Sequence, residues 1–167
     1  MSKAFVAILM GSDSDLPLLE NTMNILKGFD IPYEVRVASA HRTPDVVSEY
    51  VTDAEKRGAA VFIGAAGLAA HLAGAIAART TRPVIGIPCD GGPLSGVDAL
   101  YSTVQMPGGI PVATVAVGKA GAKNAAYLAA QIIALTDKEL DEKVKADRQK
   151  AAQEVMNKDK ALQAKLK

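Results

Sequence analysis

Five short runs of strand-forming residues, each followed by a longer segment with helical spacing, constrain the fold of this chain more than any other feature. Residues 4–10 read AFVAILM, and residues 15–28 follow with apolar side chains at mainly helical spacing. A short, continuous apolar run is typical of a strand that is buried on both faces. Strands that alternate with helices predict one parallel sheet covered by helices on both sides.

The alternation continues as far as residue 135. The further predicted strands are residues 33–38, 59–65, 83–88 and 112–117, and the further predicted helices are residues 44–57, 68–79, 97–105 and 123–135. We therefore expect one α/β domain over residues 1–135 with a central five-stranded parallel sheet. Right-handed crossovers bring the carboxyl ends of the strands to one edge, where ligands of such sheets usually bind.

The C-terminal segment, residues 136–167, differs in composition from the rest of the chain. It is rich in Lys, Glu, Asp, Gln and Ala, and its apolar residues are sparse. The pattern predicts a C-terminal helical extension of one helix or two, which is not a separate domain. Two interpretations stay open: a solvated charged helix, or a helix whose narrow apolar stripe packs on a neighbouring subunit.

Charge and composition argue against several classes of function. The formal net charge is +1 without a broad basic field, so nucleic acid is not an expected partner. The single Cys89 excludes an internal disulfide, and with two histidines a structural zinc site is not expected. The N-terminal apolar run predicts a strand and not a signal peptide. No segment approaches the roughly 20 apolar residues that span a membrane, so we expect a cytoplasmic protein with no membrane contact.

Small polar residues follow the predicted strands, and the first such cluster is GSDSD at residues 11–15. Backbone N–H groups at a helix start, together with serine hydroxyls, can bind an anion, and Gly11 lets the chain turn tightly. The two aspartates would repel a bare polyanion, so a ligand with both a phosphate and sugar hydroxyls fits better. An ordinary capped turn explains this pentapeptide equally well.

The second cluster, SAHRTP at residues 39–44, places His41 and Arg42 between hydroxyl-bearing residues. Arginine can hold phosphate in a bidentate fork, and histidine moves a proton near neutral pH. A lone loop histidine is more often an ordinary surface residue. The His-Arg pair at the carboxyl end of a strand nevertheless favours a functional role.

Two further loops carry weaker signals. Residues 64–74 have little side-chain bulk, so a ligand can approach the backbone, and His71 by itself is more typical of a structural histidine. Residues 88–98 are rich in Gly and Pro, which indicates a shaped loop. Cys89 has no obvious activating base nearby, so we interpret it as structural. P-loop, G-x-G-x-x-G and H-E-x-x-H motifs are absent.

Three stretches together resemble one family. They are GSDSD at residues 11–15, SAHRTP at 39–44, and AAGLAAHLAG at 65–74 followed by LSGVDALYSTVQMPGG at 94–109. Over residues 4–135 the chain resembles the PurE family of 5-(carboxyamino)imidazole ribonucleotide mutases. The serine in GSDSD is similar to the class I mutases, whereas the class II carboxylases tend to have threonine there.

The resemblance implies a three-layer, flavodoxin-like (Rossmann-like) α/β fold and a homo-oligomer, an octamer. It implies an isomerase of de novo purine (IMP) biosynthesis that acts on a small ribonucleotide and needs no metal or other cofactor. His41 carries over as the general acid/base. Ligand contacts carry over to Ser12, Asp15 and Arg42, phosphate contacts to Ser14 and Ser39, and the lining of the site to Gly67, Ala70 and His71. The QMPGG loop at residues 105–109 is also expected to line the site, from the same subunit or a neighbour.

The chain departs from the family in two loops. The family often has G-A-G-G-A-A-H-L-P-G over residues 65–74, so two glycines are replaced by Ala65 and Leu68 and a proline by Ala73. Residues 89–93 also differ from the commonest members. Two alternative functions are weighed: a direct aminoimidazole ribonucleotide carboxylase that uses carbon dioxide, and a non-catalytic nucleotide-binding module.

Overall fold

The computed structural model describes residues 4–166, in which five strands alternate with six α-helices. The elements are β1 (Phe5–Met10), α1 (Leu16–Gly28), β2 (Tyr33–Val37), α2 (Pro44–Lys56), β3 (Ala59–Ala66), α3 (Leu72–Ala77), β4 (Val84–Pro88), α4 (Val97–Val104), β5 (Ala113–Thr114), α5 (Lys119–Ala134) and α6 (Lys138–Lys165). The strands form one sheet in the order β2-β1-β3-β4-β5, and every neighbouring pair is parallel. The predicted five-stranded parallel α/β fold is confirmed. Residues 1–3 and 167, which belong to the predicted domain and extension, lie outside the described residues.

Alternate side chains of the central strands point to opposite faces of the sheet, and each face has its own core. On one face, Ile8 and Ile63 pack with α1, α5 and the start of α6. On the other face, Leu9 and Phe62 pack with α2 and α3. Because the side-chain period of a strand is two, a fully apolar run such as β1 supplies both cores at once. The result is a three-layer arrangement with the sheet in the middle.

Small residues let α5 lie close to the sheet. Its alanines at positions 122, 125, 126, 129 and 130 are fully buried. A Cβ added at Gly121 would lie 1.6 Å from the carbonyl oxygen of Ala116, so only glycine fits there. The Ala-rich composition of this helix therefore sets its packing distance.

Three predicted boundaries are wrong for local reasons. α3 begins at Leu72 and not at residue 68, because Leu68 has a φ of +55° and cannot continue a right-handed helix. α5 begins at Lys119 and not at residue 123, directly after Gly118, which has a φ of +70°. β5 covers Ala113–Thr114 and not residues 112–117, because its pairing with the β4 ladder extends over those two residues alone.

The C-terminal segment forms a single helix, which resolves the choice between one helix and two. Asp137 caps α6 by accepting a hydrogen bond from the backbone N–H of Leu140. Leu140 and Val144 are buried against the domain, whereas Val155 and Leu162 farther along are more than half exposed. No helix within residues 4–166 has both the length and the apolar character needed to cross a membrane.

Candidate active site

A cavity of about 500 Å³ opens at the edge of the sheet where the strands end. Its walls come from the loops that follow β1, β2, β3 and β4, so four separate segments converge on one space. The predicted site residues in its lining are Ser12, Ser14, Asp15, Ser39, His41, Arg42, Gly67 and His71. Ala70, which was predicted with them, is 2% exposed and is not part of the lining.

The first loop forms a compact serine turn, which we define as residues 11–15. Ser12 Oγ accepts hydrogen bonds from the backbone N–H of Ser14 at 3.3 Å and from Ser14 Oγ at 2.8 Å. A single 3-10 turn, Asp13–Asp15, then leads directly into α1. Two hydroxyls and the positive end of a helix dipole therefore lie at one corner of the cavity, which suits an anion.

Asp15 directly precedes α1, but its side chain lines the cavity. Its side chain makes no capping hydrogen bond, although the residue stands at the N-cap position. The carboxyl instead lies in the cavity wall, where burial raises its pKa and a hydrogen bond from the Cys89 thiol partly offsets that effect. The Asp15 carboxylate is therefore available to a ligand.

Cys89 contributes to the wall as a buried thiol. Burial raises its pKa to about 12, and the nearby negative charge of Asp15 acts in the same direction. The thiol is therefore protonated at neutral pH and is not a nucleophile, and its Sγ also lies 3.9 Å from a second acceptor, the carbonyl oxygen of Ile87. This geometry supports the structural interpretation of Cys89.

The second loop folds back on itself and reaches the first. The backbone N–H of Arg42 donates to Ser39 Oγ at 3.2 Å, and the backbone N–H of Ser39 donates to Thr43 Oγ1 at 2.9 Å. Arg42 Nη2 donates to the carbonyl oxygen of Gly11 at 3.2 Å. A fixed cation thus stands beside the serine turn, as the phosphate interpretation requires.

The two histidines of the chain meet in this cavity. His41 Nε2 lies 2.6 Å from His71 Nδ1, and the ring planes are 82° apart. A hydrogen bond between two imidazoles needs one N–H and one free lone pair, so one ring accepts and the other donates. The sequence favoured a structural role for His71 taken alone, because sequence spacing does not show that residue 71 reaches residue 41.

The wall also contains residues that the sequence prediction did not name as site residues, and Leu68, Gly91 and Gly92 are among them. Two signals could have found them: the replacement of a family glycine by Leu68, and the unusual loop at residues 89–93. The QMPGG loop at residues 105–109 does not line this cavity. Among residues 4–166, no group of three or more His, Cys, Asp and Glu side chains is arranged to hold a metal ion.

Comparison with known proteins accounts for this combination of loops. The sequence profile of the AIR carboxylase family matches residues 5–154. The chain belongs to the AIR carboxylase family. The resemblance drawn from GSDSD, SAHRTP and QMPGG is thereby confirmed.

Two curated proteins are similar to this AIR carboxylase family member over most of their length. The N5-carboxyaminoimidazole ribonucleotide mutase of Bacillus subtilis (strain 168) is 50% identical over 151 residues, which cover 90% of this chain and 93% of the relative. The mutase of the same name from Escherichia coli (strain K12) is 52% identical over 153 residues, 92% of this chain and 90% of the relative.

A crystal structure of Treponema denticola PurE has the same fold as this AIR carboxylase family member. It superposes with a TM-score of 0.87 at 35% identity, and the match covers 96% of this chain and 99% of that one. Because the match covers 96% of this chain, it includes most of α6, which therefore has a counterpart in this relative. The flavodoxin-like architecture expected from the sequence is confirmed.

Proposed function

We propose that this chain is an N5-carboxyaminoimidazole ribonucleotide mutase, an isomerase of de novo purine biosynthesis. It converts 5-carboxyamino-1-(5-phosphoribosyl)imidazole to 5-amino-1-(5-phosphoribosyl)imidazole-4-carboxylate. One observation carries the proposal: a histidine and an arginine from one loop and a serine turn from another line one cavity. Curated mutases that are 50% and 52% identical to this chain over most of its length support the same reaction.

The ligand's phosphate and ribose have complementary partners in the first two loops. Arg42, Ser14 and Ser39 bind the phosphate, with the N-terminus of α1 adding a favourable field. Asp15 accepts hydrogen bonds from ribose hydroxyls, and Ser12 completes the contacts. The cavity of about 500 Å³ lies within the usual range of small-molecule sites. Binding energy from these remote groups holds the imidazole ring in position for the chemistry.

The reaction proceeds in two half-reactions with His41 as proton shuttle. The bond between the exocyclic nitrogen and the carboxylate carbon breaks, its electron pair stays on nitrogen, and His41 donates a proton there. Aminoimidazole ribonucleotide and carbon dioxide result. The electron-rich ring carbon C4 then attacks the carbon dioxide, and His41 removes the C4 proton, which restores aromaticity. Protons balance over the cycle, and the electron-rich ring supplies the nucleophile, so the route needs no metal or organic cofactor.

His71 acts as a positioning residue for His41. Its Nδ1 lies 2.6 Å from His41 Nε2, so the hydrogen bond between them restrains the His41 ring. His71 itself precedes α3, whose buried Leu72 anchors the loop. The proton shuttle is therefore held by a rigid element on the opposite wall of the cavity.

The protein works as a homo-oligomer in the cytoplasm, and an octamer is the assembly that the family resemblance implies. One face of α4 supports self-association: Val97, Tyr101 and Val104 follow helical spacing and are each 45% to 62% exposed. Leu94, in the loop before α4, adds to this apolar surface. The QMPGG loop does not line the cavity of its own subunit. In such an assembly it reaches the cavity of a neighbouring subunit.

Separate supply of each substrate tests the reaction. The protein should convert the N-carboxy ribonucleotide to the 4-carboxylate without added bicarbonate. Turnover of aminoimidazole ribonucleotide with bicarbonate, and none of the N-carboxy compound, would instead indicate a direct carboxylase. His41→Asn should keep ribonucleotide binding and lose at least about a hundredfold in kcat. If the unmodified protein binds the ribonucleotide but converts neither compound, it is a binding module.

A further inference from the structure

Leu68 has an unusual backbone conformation at the mouth of the cavity. Its φ of +55° lies in the left-handed region, which favours glycine because a Cβ is crowded there. The side chain is 53% exposed, yet it lines the cavity. A strained backbone that holds an exposed apolar side chain over a binding site calls for a functional explanation.

The partner of Leu68 is Gly92, in the loop between β4 and α4. Gly92 also lines the cavity and has a φ of +85°. A Cβ added at Gly92 would lie 2.5 Å from Leu68 Cδ2 and 3.7 Å from its Cγ. The leucine side chain therefore lies against the face of Gly92 that any other residue would fill, and it joins the β3–α3 loop to the β4–α4 loop.

We infer that the contact between Leu68 and Gly92 closes one wall of the site and keeps carbon dioxide inside between the two half-reactions. This inference rests on the proposed function. After the N–C bond breaks and nitrogen takes a proton, carbon dioxide is a free neutral molecule. If it leaves before C4 attacks it, aminoimidazole ribonucleotide is released as a side product. An apolar side chain that completes this wall slows that escape and excludes water.

Leu68→Ala tests the inference through the partition of products. Each variant receives the N-carboxy ribonucleotide labelled with ¹³C in its carboxylate, in unlabelled bicarbonate. We expect Leu68→Ala to raise the ratio of released aminoimidazole ribonucleotide to 4-carboxylate product about tenfold, the low end of what lost apolar groups in a pocket cause. Leu135→Ala is the matched control, because Leu135 is 84% exposed at the end of α5 and does not line the cavity.

A double-mutant cycle identifies the contact itself. Gly92→Ala adds the Cβ that displaces Leu68, so this variant should leak as Leu68→Ala does. In the Leu68→Ala background the clashing Cδ2 atom is gone, and the same change should add no further leak. Gly92→Ala introduces the same backbone strain at its positive φ in wild-type protein and in Leu68→Ala. That strain therefore cancels when the two effects are compared.

A third variant, Leu68→Gly, distinguishes a role of the Leu68 side chain in retaining carbon dioxide from a role in stabilising the fold. Leu68→Gly relieves the backbone strain, so it should unfold at a higher temperature than Leu68→Ala and leak at least as much. If wild-type protein makes no 4-carboxylate product, the proposed function fails. If wild type makes that product with its label retained, and Leu68→Ala retains the label equally, the mutase function stands and this inference is overturned.

Discussion

His41 Nε2 lies 2.6 Å from His71 Nδ1, although thirty positions separate the two residues in the chain. His41 comes from the loop after β2, and His71 comes from the loop after β3. β1 lies between these strands in the sheet, so the two loops face each other across its carboxyl end. The strand order therefore creates the histidine pair.

Replacement of His71 by Ala should lower kcat about a hundredfold and leave KM nearly unchanged, because a misplaced His41 loses proton transfer while ligand contacts persist. The measurement is steady-state kinetics with the N-carboxy ribonucleotide. Adding His71→Ala to His41→Asn should cost little more, since both act on the same proton transfer. Fully additive losses in the double variant would contradict a positioning role.

Replacement of Arg42 by Ala should raise KM about tenfold to a hundredfold, the cost of losing a charge-assisted hydrogen bond to phosphate. Arg42→Lys should recover only part of the loss, because an ammonium group cannot form the bidentate fork. Arg82→Ala is the control, since Arg82 pairs with Glu55 and does not line the cavity. Equal KM values for Arg42→Ala and Arg82→Ala would remove Arg42 from the phosphate site.

Replacement of Asp15 by Asn should stabilise the fold at neutral pH and weaken ligand binding. Burial raises the folded-state pKa of Asp15 above its ordinary value of 3.8, so the folded protein holds this proton more tightly than the unfolded chain. That contribution is fully present below the ordinary value and is lost as the pH rises through the folded-state pKa, so the ionised carboxylate opposes folding at pH 7. Thermal unfolding should show the gain at pH 7 and its decline toward pH 3. A lower Tm for Asp15→Asn at pH 7 would contradict this.

Replacement of Gly121 by Ala should destabilise the domain by about 3 kcal/mol or more, because α5 would have to move off the sheet. The new Cβ would lie 1.6 Å from the carbonyl oxygen of Ala116. Gly28→Ala is the matched control, with no atom within 4 Å of its new Cβ. Urea unfolding of both variants measures the difference, and equal midpoints would show that α5 is free to shift.

Much of the fold could be predicted from the sequence, because period and length separate buried strands from amphipathic helices. The four strands β1 to β4 were predicted to within one residue at each end. The start of α3 could not be predicted, since a leucine in a left-handed conformation carries no local signal. Packing around Leu68 imposes its left-handed backbone conformation. Apolar spacing alone therefore predicted a helix that starts too early, at residue 68.

The sequence by itself determined the alternation of strands and helices, the loops that carry chemistry, and the pairing of His41 with Arg42 in one of them. Those features are local, since they depend on side-chain period and on residue type at strand ends. Only the tertiary structure decided that His71 meets His41, that Arg42 reaches Gly11, and that Leu68 covers Gly92. These contacts join residues from different loops, and the sheet order and backbone angles that bring them together arise from packing of the whole domain.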